Sequence, residues 1–333
     1  MPLGFLLTFV SLLLFVFTIV AILDVSRLLS FTGLTFSDVI RIATANGKSL
    51  RQDNGRTNIL LLGFGGGVHE GADLTDTIII FSYAHASGSA SLISVPRDTW
   101  SETLKDKINS AYHYGEERAV GGGYTMAKTI VNEVTGLPLH YVVSIDFSGF
   151  KTVINTIGGI DVSVADAFTD TQYPIAGREN DNCGGDQSYA CRYMTVTFVK
   201  GNEHMNGDRA LSYVRSRHAD GPEGTDFARS KRQQEVLSAL KSKLIDPRLF
   251  LSPESFKKII SSLGLAVNTD LSVSEIGILG KLYGYSQKNQ IEKISFEGLL
   301  ANPPEYLYGG RYVLVPIDGT FRSIHSFLKD KLR

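Results

Sequence analysis

Short apolar runs and helix-like segments alternate along most of the chain. The runs at Asn58–Gly63, Thr77–Tyr83 and Ser91–Val95 are nearly continuous, as expected of strands that are buried on both faces. The intervening segment Ala84–Ala90 contains a glycine and small residues and predicts a turn. A further apolar run at His140–Ile145 predicts a fourth strand.

Four segments between or after these runs predict helices. Tyr124–Val134 has helical periodicity and is followed closely by a glycine and a proline. Asp146 is a suitable N-cap for a helix that continues to Thr156 and stops at two glycines. Helices are also predicted near Gly207–Tyr213 and over Asp226–Leu244. The alternation predicts an α/β fold with a layered central β-sheet flanked by helices.

The N-terminal segment Leu3–Leu23 is an apolar run that no other stretch of the sequence approaches. As a helix it would extend roughly 30 Å, the thickness of the hydrocarbon core of a membrane. A cleaved signal peptide is the alternative, but the segment lacks a basic start, a short apolar stretch and a clear small-residue cleavage site. We therefore predict one uncleaved transmembrane helix.

The orientation of this helix is left open by two opposing signals. No Lys or Arg precedes it and basic residues follow it, which alone would place the rest of the chain in the cytoplasm. Cys183 and Cys191, in contrast, lie in a polar loop rich in glycine, and such a pair favours a disulfide in an oxidising compartment. Two free thiols are the alternative, and a zinc site is disfavoured because no other Cys or His lies beside them.

Composition and motif searches exclude several classes of function. The 333 residues have a net charge of −1, which argues against the broad basic surface of a nucleic-acid-binding protein. The glycines at 63–67 follow a strand, but their spacing does not fit a dinucleotide-binding loop. The sequence has no Walker A motif, no histidine pattern typical of a metal site and no Gly-x-Ser-x-Gly elbow.

Two aspartates stand at strand ends. Asp76 opens the second predicted strand and Asp98 follows the third. If these strands are adjacent and antiparallel, both carboxylates lie at one rim of the sheet, where their oxygens would suit Mg²⁺ or Mn²⁺ completed by substrate phosphate. The competing interpretation is ordinary turn chemistry, since Asp is common beside strands.

Arginines occur in three segments that could join those aspartates. Arg97 directly precedes Asp98, and Arg215 and Arg217 are predicted to share one side of an extended segment. In the helix that follows, Arg229, Arg232 and Gln233 share a face, because they are spaced at i, i+3 and i+4. The planar guanidinium suits bidentate recognition of phosphate. A solvated helix face is the competing interpretation for this helix.

Taken together, these motifs resemble the LytR-CpsA-Psr family of cell-envelope proteins. The resemblance extends over roughly residues 57 to 244, and its motifs occur in the order of the family. They are Asn58–Gly63, Thr75–Thr77, Leu92–Thr99, Lys107–Tyr112, Tyr141–Val164, Ala210–Arg217 and Thr225–Gln234.

The resemblance implies an Mg-dependent phosphotransferase that moves a glycopolymer from a polyprenyl-pyrophosphate carrier to a hydroxyl of a cell-wall acceptor such as peptidoglycan. It implies that Asp76 and Asp98 hold the metal ion and, with Arg97, act in catalysis. It also implies a set of pyrophosphate-binding residues: Arg97, Lys107, Asn109, Arg215, Arg217, Arg229, Arg232 and Gln233. The expected partners are the lipid-linked glycan, the acceptor and membrane lipid, with no nucleic acid. A binding module that holds polyprenyl phosphate without turnover, and a polyprenyl-pyrophosphate phosphatase, are the alternatives.

The predicted organisation follows from these segments. We predict an anchor at 1–24, a juxtamembrane linker at 25–56, a catalytic core at 57–244, and a C-terminal α/β portion at 245–333 that packs on the core and includes a strand at Arg311–Pro316 and a terminal helix. With the disulfide and the resemblance, the catalytic domain is predicted to lie outside the cell membrane. One departure is Leu74, where many members of the family carry arginine.

Overall fold

The protein is described here from a computed structural model, which defines residues 35–66, 71–178, 180–244, 246–250, 253–285 and 291–333. Its contacts divide the chain into two units. The smaller unit combines residues 1–50 with 271–285, and the larger combines residues 51–270 with 286–333.

The strands of the described residues are numbered in chain order. They are β1 (Arg56–Phe64), β2 (Thr75–Ala84), β3 (Ala90–Ser94), β4 (Trp100–Ser101), β5 (Asp106–Lys107), β6 (Tyr141–Asp146), β7 (Ile160–Val164), β8 (Phe168–Pro174), β9 (Tyr193–Phe198), β10 (Gly201–Met205), β11 (Val267–Thr269), β12 (Glu292–Ile294), β13 (Leu300–Ala301) and β14 (Val315–Pro316). The four strands predicted from apolar runs are therefore confirmed as β1, β2, β3 and β6.

The α-helices are numbered in the same way. They are α1 (Phe36–Thr44), α2 (Ala111–Arg118), α3 (Gly122–Thr135), α4 (Phe147–Thr156), α5 (Gly207–Arg215), α6 (Asp226–Leu244), α7 (Pro253–Ala266), α8 (Val273–Tyr285) and α9 (Arg322–Lys331). Short 3₁₀ turns separate several of them. The four predicted helices and the terminal helix are confirmed, and Asp146 caps α4 by accepting a hydrogen bond from the amide of Gly149.

A six-stranded mixed sheet forms the centre of the larger unit, in the order β11-β6-β1-β2-β3-β12. β6 runs parallel to β1, whereas β2 is antiparallel to both β1 and β3. The predicted α/β fold with a central sheet flanked by helices is therefore confirmed. The two edge strands, β11 and β12, come from residues beyond 244, so the C-terminal portion contributes strands to the central sheet itself.

Two apolar clusters bury the elements of the larger unit. In the first, Leu60, Ile80 and Ile93 of the sheet pack with Ile130 of α3 and Leu328 of α9, and all five are fully buried. The second lies around α4, α5, α6 and the two small sheets β7–β10 and β8–β9, and it includes Ile154, Ile160, Phe168, Phe198, Tyr213 and Val236. The predicted segments become regular elements because each can place an apolar face in one of these clusters.

The described part of the smaller unit is a pair of helices. Thr35 and Asp38 form a capping box at the start of α1. α1 packs with α8 at Gly277, where an added Cβ would lie 2.4 Å from Ile42 Cδ1. At the end of α1, the ammonium of Lys281 donates to the carbonyls of Ile42, Ala43 and Ala45, which a helix end otherwise leaves without partners. Part of the predicted linker is therefore a packed helix.

Three predictions are not confirmed by this fold: one lies outside the described residues and two are wrong. The predicted anchor at 1–24 lies outside the described residues, and among the described helices none has the length and apolar content required to cross a membrane. The strand predicted at Arg311–Pro316 is wrong over most of its length, because only Val315–Pro316 pairs with another strand, β13. The extended segment predicted around Arg215 is also wrong, because α5 continues to that residue.

Candidate functional site

The two predicted aspartates meet at one rim of the central sheet. β2 and β3 are adjacent and antiparallel, with Ile79 opposite Ser94, so the start of β2 lies near the segment that leaves β3. Arg97 lies between the carboxylates: its Nη1 contacts Asp76 Oδ1, and its Nε lies 3.3 Å from Asp98 Oδ2. Both carboxylates therefore lie at this rim, as expected, and the guanidinium of Arg97 contacts both of them.

Asp98 is the buried member of the pair. Only 3% of it is exposed, and Lys107 Nζ donates to its Oδ1 at 2.7 Å. Burial alone would raise the pKa of Asp98, but the charges of Arg97 and Lys107 and the hydrogen bond from Lys107 lower it below its usual value. Asp98 is therefore ionised at neutral pH and holds Arg97 and Lys107 in place. The side chain of Asp76, in contrast, is 36% exposed.

Beside Asp76 the larger unit has a cationic pocket, which we call the arginine pocket. Its volume is about 170 Å³. The residues that line it come from β2, the segment after β3, the start of α4, the end of β8, the end of α5 with the segment after it, and the first half of α6. They are Asp76, Thr77, Arg97, Phe147, Pro174, Val214, Arg215, Arg217, His218, Arg229 and Gln233.

Arg229 is the most buried of the cations in this pocket, with a side-chain exposure of 7%. Its Nη2 lies 2.9 Å from Asp226 Oδ1, one helical turn earlier in α6. Burial lowers the pKa of Arg229 to about 10, against the opposing effect of Asp226. The side chain remains charged at neutral pH. A desolvated guanidinium attracts an anion more strongly than an exposed one, because the local dielectric is low.

Two further arginines reach the pocket from the end of α5. The guanidinium of Arg215 stacks over the ring of Phe147, 4.2 Å from its centroid. Arg217 follows the helix and is positioned through its backbone, since Asp170 Oδ2 accepts from the amides of Arg217 and His218 at 2.9 and 3.3 Å. Asp170 is fully buried. It thus fixes a loop that carries one arginine and one histidine into the pocket.

Arg232 does not line the arginine pocket. It is 1% exposed, and its guanidinium donates to the carbonyls of Tyr213, Ser216 and Glu223 and pairs with the Glu223 carboxylate at 2.8 Å. It also lies 4.5 Å from the centroid of the Phe168 ring. The structure therefore gives Arg232 internal partners in place of the predicted access to a phosphate.

The remaining predicted residues lie at the back of the site. Lys107 contacts Asp98 rather than the pocket itself. Asn109 is 7% exposed, and its backbone N–H donates to the carbonyl of Arg97, so it supports the segment that carries the arginine. The backbone amide of Leu74 donates to the carbonyl of Gly71. The structure thus gathers Asp76, Arg97, Arg215, Arg217, Arg229 and Gln233 around one pocket, with Asp98, Lys107 and Asn109 behind Arg97.

Sequence reasoning did not find Phe147, His218 or Asp170. Phe147 lies in the family-like segment Tyr141–Val164 and opens a predicted helix, but neither feature indicates a role in the site, and Asp170 is one acidic residue in a polar insertion. His218 directly follows Arg217, and this adjacency was the available signal for it. Each acquires its role through a distant partner, which no local motif encodes.

Cys183 and Cys191 form a disulfide in the structure. It closes a loop between β8 and β9, and Asp181 Oδ1 accepts from the amide of Cys183 within this loop. Among the described residues, one group of three side chains has its ligand atoms close enough together to hold a metal ion, namely Asp181 and the two cysteines. Since both sulfurs are in the disulfide, no thiolate is present to bind a metal ion there.

The carboxylate oxygens of Asp76 and Asp98 at the sheet rim belong to the ligand class of a hard divalent cation. Asp76 and Asp98 both contact the single guanidinium of Arg97, so their oxygens already flank one positive charge. Carboxylate oxygens are the ligands preferred by Mg²⁺, which typically completes its shell with water and substrate phosphate.

Comparison with known proteins gives consistent matches. The model of the LytR_cpsA_psr family matches residues 36–319. The polyisoprenyl-teichoic acid–peptidoglycan teichoic acid transferase TagU of Bacillus mycoides is 28% identical over 228 residues, which cover 67% of this chain and 63% of TagU. TagV of Bacillus subtilis, named for the same activity, is 29% identical over 230 residues, covering 67% of this chain and 52% of TagV.

The crystal structure of Bacillus subtilis TagV superposes with a TM-score of 0.58 at 26% identity, and the superposition covers 84% of this chain and 98% of that one. The sequence alignments span less than two thirds of the length of the TagU and TagV proteins.

Proposed function

This chain belongs to the LytR-CpsA-Psr family, and we propose that it transfers a glycopolymer from a polyprenyl-pyrophosphate carrier to a hydroxyl group of a cell-wall acceptor. The observation that carries the proposal is the arginine pocket, in which Arg97, Arg215, Arg217 and Arg229 converge. Four cations around a small cavity suit a pyrophosphate, which has several anionic oxygens. The names of TagU and TagV, as teichoic acid transferases acting on peptidoglycan, support the same reaction class.

In this reaction the acceptor hydroxyl oxygen bonds to the phosphorus next to the glycan. The bond from that phosphorus to the bridging oxygen breaks, polyprenyl phosphate leaves, and the hydroxyl proton passes to a base. Asp76 is the better candidate for this base, because it is partly exposed and lines the pocket. Asp98 is buried, its pKa is lowered, and it contacts two cations, so it is the less accessible of the two carboxylates to the acceptor hydroxyl.

The arginines act by position and charge. In phosphoryl transfer the protein chiefly aligns the partners and neutralises the oxygens of the transferred and leaving groups. Arg229, desolvated and preorganised by Asp226, is suited to the most anionic position. Mg²⁺ or Mn²⁺ held by Asp76 and Asp98 would add Lewis-acid charge at the same place.

We place this reaction outside the cell membrane, with the chain attached by the predicted helix at 1–24. The disulfide between Cys183 and Cys191 supports this location, because structural disulfides persist in oxidising compartments. A reporter fused to the C-terminus that is active only outside the cytoplasm tests it, and activity of a cytoplasm-specific reporter would overturn it.

The proposed reaction is tested with purified protein, a polyprenyl-pyrophosphate-linked glycan, a glycan acceptor and Mg²⁺. We expect glycan joined to the acceptor and released polyprenyl phosphate. Arg97→Ala is expected to lower the rate about 100- to 1,000-fold, because it removes a charge aimed at the pyrophosphate. Arg248→Ala is the control, since Arg248 is exposed and pairs locally with Asp246.

The products decide between the proposed transfer and the two alternatives. Release of free glycan phosphate in the presence of acceptor identifies a phosphatase. Binding of the lipid by the wild-type protein without turnover of any acceptor identifies a binding module. Either result contradicts the proposed transfer.

A further inference from the structure

A second and larger cavity lies next to the arginine pocket. We call it the polar cleft, and its volume is about 820 Å³. It opens at the carboxyl ends of β1 and β6 and is bordered by α2, α3, the first turns of α4, and α7 with β11. Crevices at the carboxyl ends of parallel strands are common ligand sites in α/β sheets.

The cleft and the arginine pocket share a wall. Asp146 and Ser148 line the cleft, whereas Phe147, between them in sequence, lines the arginine pocket. On the other side, Asp73 borders the cleft and Asp76 borders the pocket. A molecule that fills the cleft can therefore place one of its groups close to the start of β2 and the pocket.

Charge separates the two cavities. The cleft is lined by three carboxylates, those of Asp73, Glu116 and Asp146, and no Lys, Arg or His is among its described lining residues. Asp73 is paired with His113 at 2.7 Å, so Glu116 and Asp146 contribute most of the negative charge. The arginine pocket has four arginines. A pyrophosphate is attracted to the pocket and repelled by the cleft. The cleft therefore suits the substrate that carries no phosphate.

The polar groups of the cleft are held in fixed positions. Glu116 accepts hydrogen bonds at 3.0 Å from the amides of Gly121 and Gly123. The hydroxyl of Tyr124 lies 2.7 Å from Ser144 Oγ. The Tyr112 hydroxyl also hydrogen-bonds to Glu116, so three of the roughly four acceptor positions of this carboxylate are used and one remains for a donor on a ligand.

Aromatic rings add apolar surface to this polar lining. The ring of Tyr112 lies between those of Phe64 and Tyr124, with centroid distances of 4.7 and 5.5 Å. Burial and Glu116 raise the pKa of Tyr112 to about 12, so its hydroxyl remains protonated. Sugars combine apolar ring faces with many hydroxyl donors, and this combination of rings and carboxylates complements both. The volume is within the roughly 300–1,000 Å³ typical of small-ligand pockets.

We propose that the polar cleft is the acceptor subsite, which binds a stretch of uncharged glycan and presents one of its hydroxyls to the pyrophosphate in the arginine pocket. This inference deepens the proposed transfer reaction and rests on it. It assigns the two substrates to separate cavities on either side of Phe147, sorted by charge.

The test uses Thr152→Arg, which places bulk and positive charge in the cleft. Thr152 is an exposed helix residue that lines the cleft, and its hydroxyl donates to the carbonyl of Ser148. Thr129→Arg is the matched control, because Thr129 is also exposed, donates to the carbonyl four residues earlier, and lies outside the cleft. The probe for direct binding is the tetramer of N-acetylglucosamine, measured by isothermal titration calorimetry.

We expect Thr152→Arg to raise the KM for the glycan acceptor at least about ten-fold and to weaken binding of the tetramer by a similar factor, about 1.4 kcal/mol. The KM for the lipid carrier stays at the wild-type value, and Thr129→Arg matches the wild type in both measurements. Tyr124→Phe, which removes one hydroxyl without changing the shape, is expected to weaken tetramer binding by about three- to ten-fold. It keeps the test valid if Thr152→Arg does not fold.

The outcomes distinguish this inference from the proposed function. If transfer occurs but Thr152→Arg and Tyr124→Phe leave the acceptor KM and tetramer binding unchanged, the acceptor subsite is overturned and the proposed function stands. If no acceptor is turned over but the tetramer binds to the wild type and not to Thr152→Arg, the transfer reaction fails and the cleft remains a glycan site. If the wild type neither transfers nor binds the tetramer, both are overturned.

Discussion

The first turns of α6 place two arginines in opposite environments. Arg229 lines the arginine pocket, and the described residues give its guanidinium one ion-pair partner, Asp226. Arg232, less than one turn later, lies in the interior with three carbonyls and the Glu223 carboxylate as partners. Both residues are almost fully buried, at 6% and 1% exposure. Burial alone therefore does not separate a ligand-binding arginine from a structural one.

The partners make the difference. The guanidinium of Arg232 donates to acceptors of α5 and of the loop after it, so its hydrogen-bonding groups are engaged within the protein rather than directed at a ligand. The guanidinium of Arg229 faces a cavity, and its partner Asp226 is also approached by Arg217 at 3.9 Å. We infer that Arg232 supports the wall of the pocket and that Arg229 acts within it.

The largest effect expected is on stability, from Arg232→Ala. This change leaves the Glu223 carboxylate and three carbonyls without their donor, and breaking such a buried pair typically costs about 3–5 kcal/mol of unfolding free energy. Urea unfolding monitored by circular dichroism measures it. The fraction that remains folded is expected to keep its affinity for the lipid carrier.

A double change sharpens this prediction. Arg232→Met combined with Glu223→Leu removes the charge and its partner together, so the part of the loss that comes from the unpaired Glu223 carboxylate should return, whereas the three carbonyls stay without their donor. If Arg232→Ala instead folds normally and loses affinity for the lipid pyrophosphate, the contrast between the two arginines is wrong and Arg232 binds substrate.

Arg229→Ala should show the opposite pattern. We expect the transfer rate to fall about 100- to 1,000-fold, because a preorganised charge beside the pyrophosphate is removed. The unfolding free energy should change little, since the alanine relieves the burial of a charge that has one partner. Steady-state transfer kinetics and urea unfolding on the same preparation separate the two effects.

Lys231→Ala is the control for Arg229→Ala on the same helix. Lys231 is half exposed and pairs with Asp166, away from the pocket. Its removal should leave both rate and stability at wild-type values. A stability loss for Arg229→Ala as large as that for Arg232→Ala would contradict a ligand-binding role for Arg229.

Much of the fold was predictable because its signals are local. α4 has the N-cap Asp146 at one end and Gly158 and Gly159 at the other, and the helix lies between them as predicted. Gly159 has a φ of +83°, and an added Cβ would lie 2.4 Å from His204 Nε2. The strand predicted at Arg311–Pro316 had no such local determinant. Its extent depends on where β13 lies, and the sequence does not encode that position locally.

The candidate site was predictable to the level of residue type and order. The spacing of Arg229, Arg232 and Gln233 indicates a shared helix face. It does not indicate that carbonyls from Tyr213 and Ser216 surround only the second of them. Similarly, Arg217 is placed through hydrogen bonds from its backbone to Asp170, a contact between residues 47 positions apart. These contacts depend on tertiary packing, so local periodicity cannot supply them.

Asp98→Asn tests whether the carboxylate behind the pocket is held as an anion by its cationic neighbours. Because the pKa of Asp98 is lower in the folded chain than its ordinary value of 3.8, its ion pairs stabilise the protein above pH of about 4, and this stability is lost as the pH falls through the folded pKa. The variant should lose about 1–3 kcal/mol at neutral pH and show a smaller further loss between pH of about 4 and 2.

Urea unfolding as a function of pH measures this difference. Asp208→Asn is the control, since Asp208 is largely exposed and forms an ion pair with Lys151 at the surface. Its acid profile should coincide with that of the wild type. If Asp98→Asn has the same slope below pH of about 4 as the wild type, the carboxylate of Asp98 is not held as an anion by its cationic neighbours.

The smallest expected effects concern two adjacent residues of α6, Gln233 at the pocket and Gln234 in the interior. Gln233 lines the arginine pocket and donates to Thr77 Oγ1 at 2.9 Å, whereas Gln234 is 4% exposed and donates to Ser94 Oγ at 2.8 Å. Gln233→Ala should lower the transfer rate about five- to ten-fold, the size of one hydrogen bond. Gln234→Ala should leave the rate of folded protein unchanged and lower the unfolding free energy by about 1–2 kcal/mol, because buried acceptors in β3 and β12 lose a donor.

Neither change alters charge, so a rate loss confined to Gln233→Ala would attribute function to the side of the helix that faces the pocket rather than to the arginine motif as a whole. Equal effects of the two variants on rate would mean that the helix acts as one unit, and the division between Arg229 and Arg232 would lose its basis.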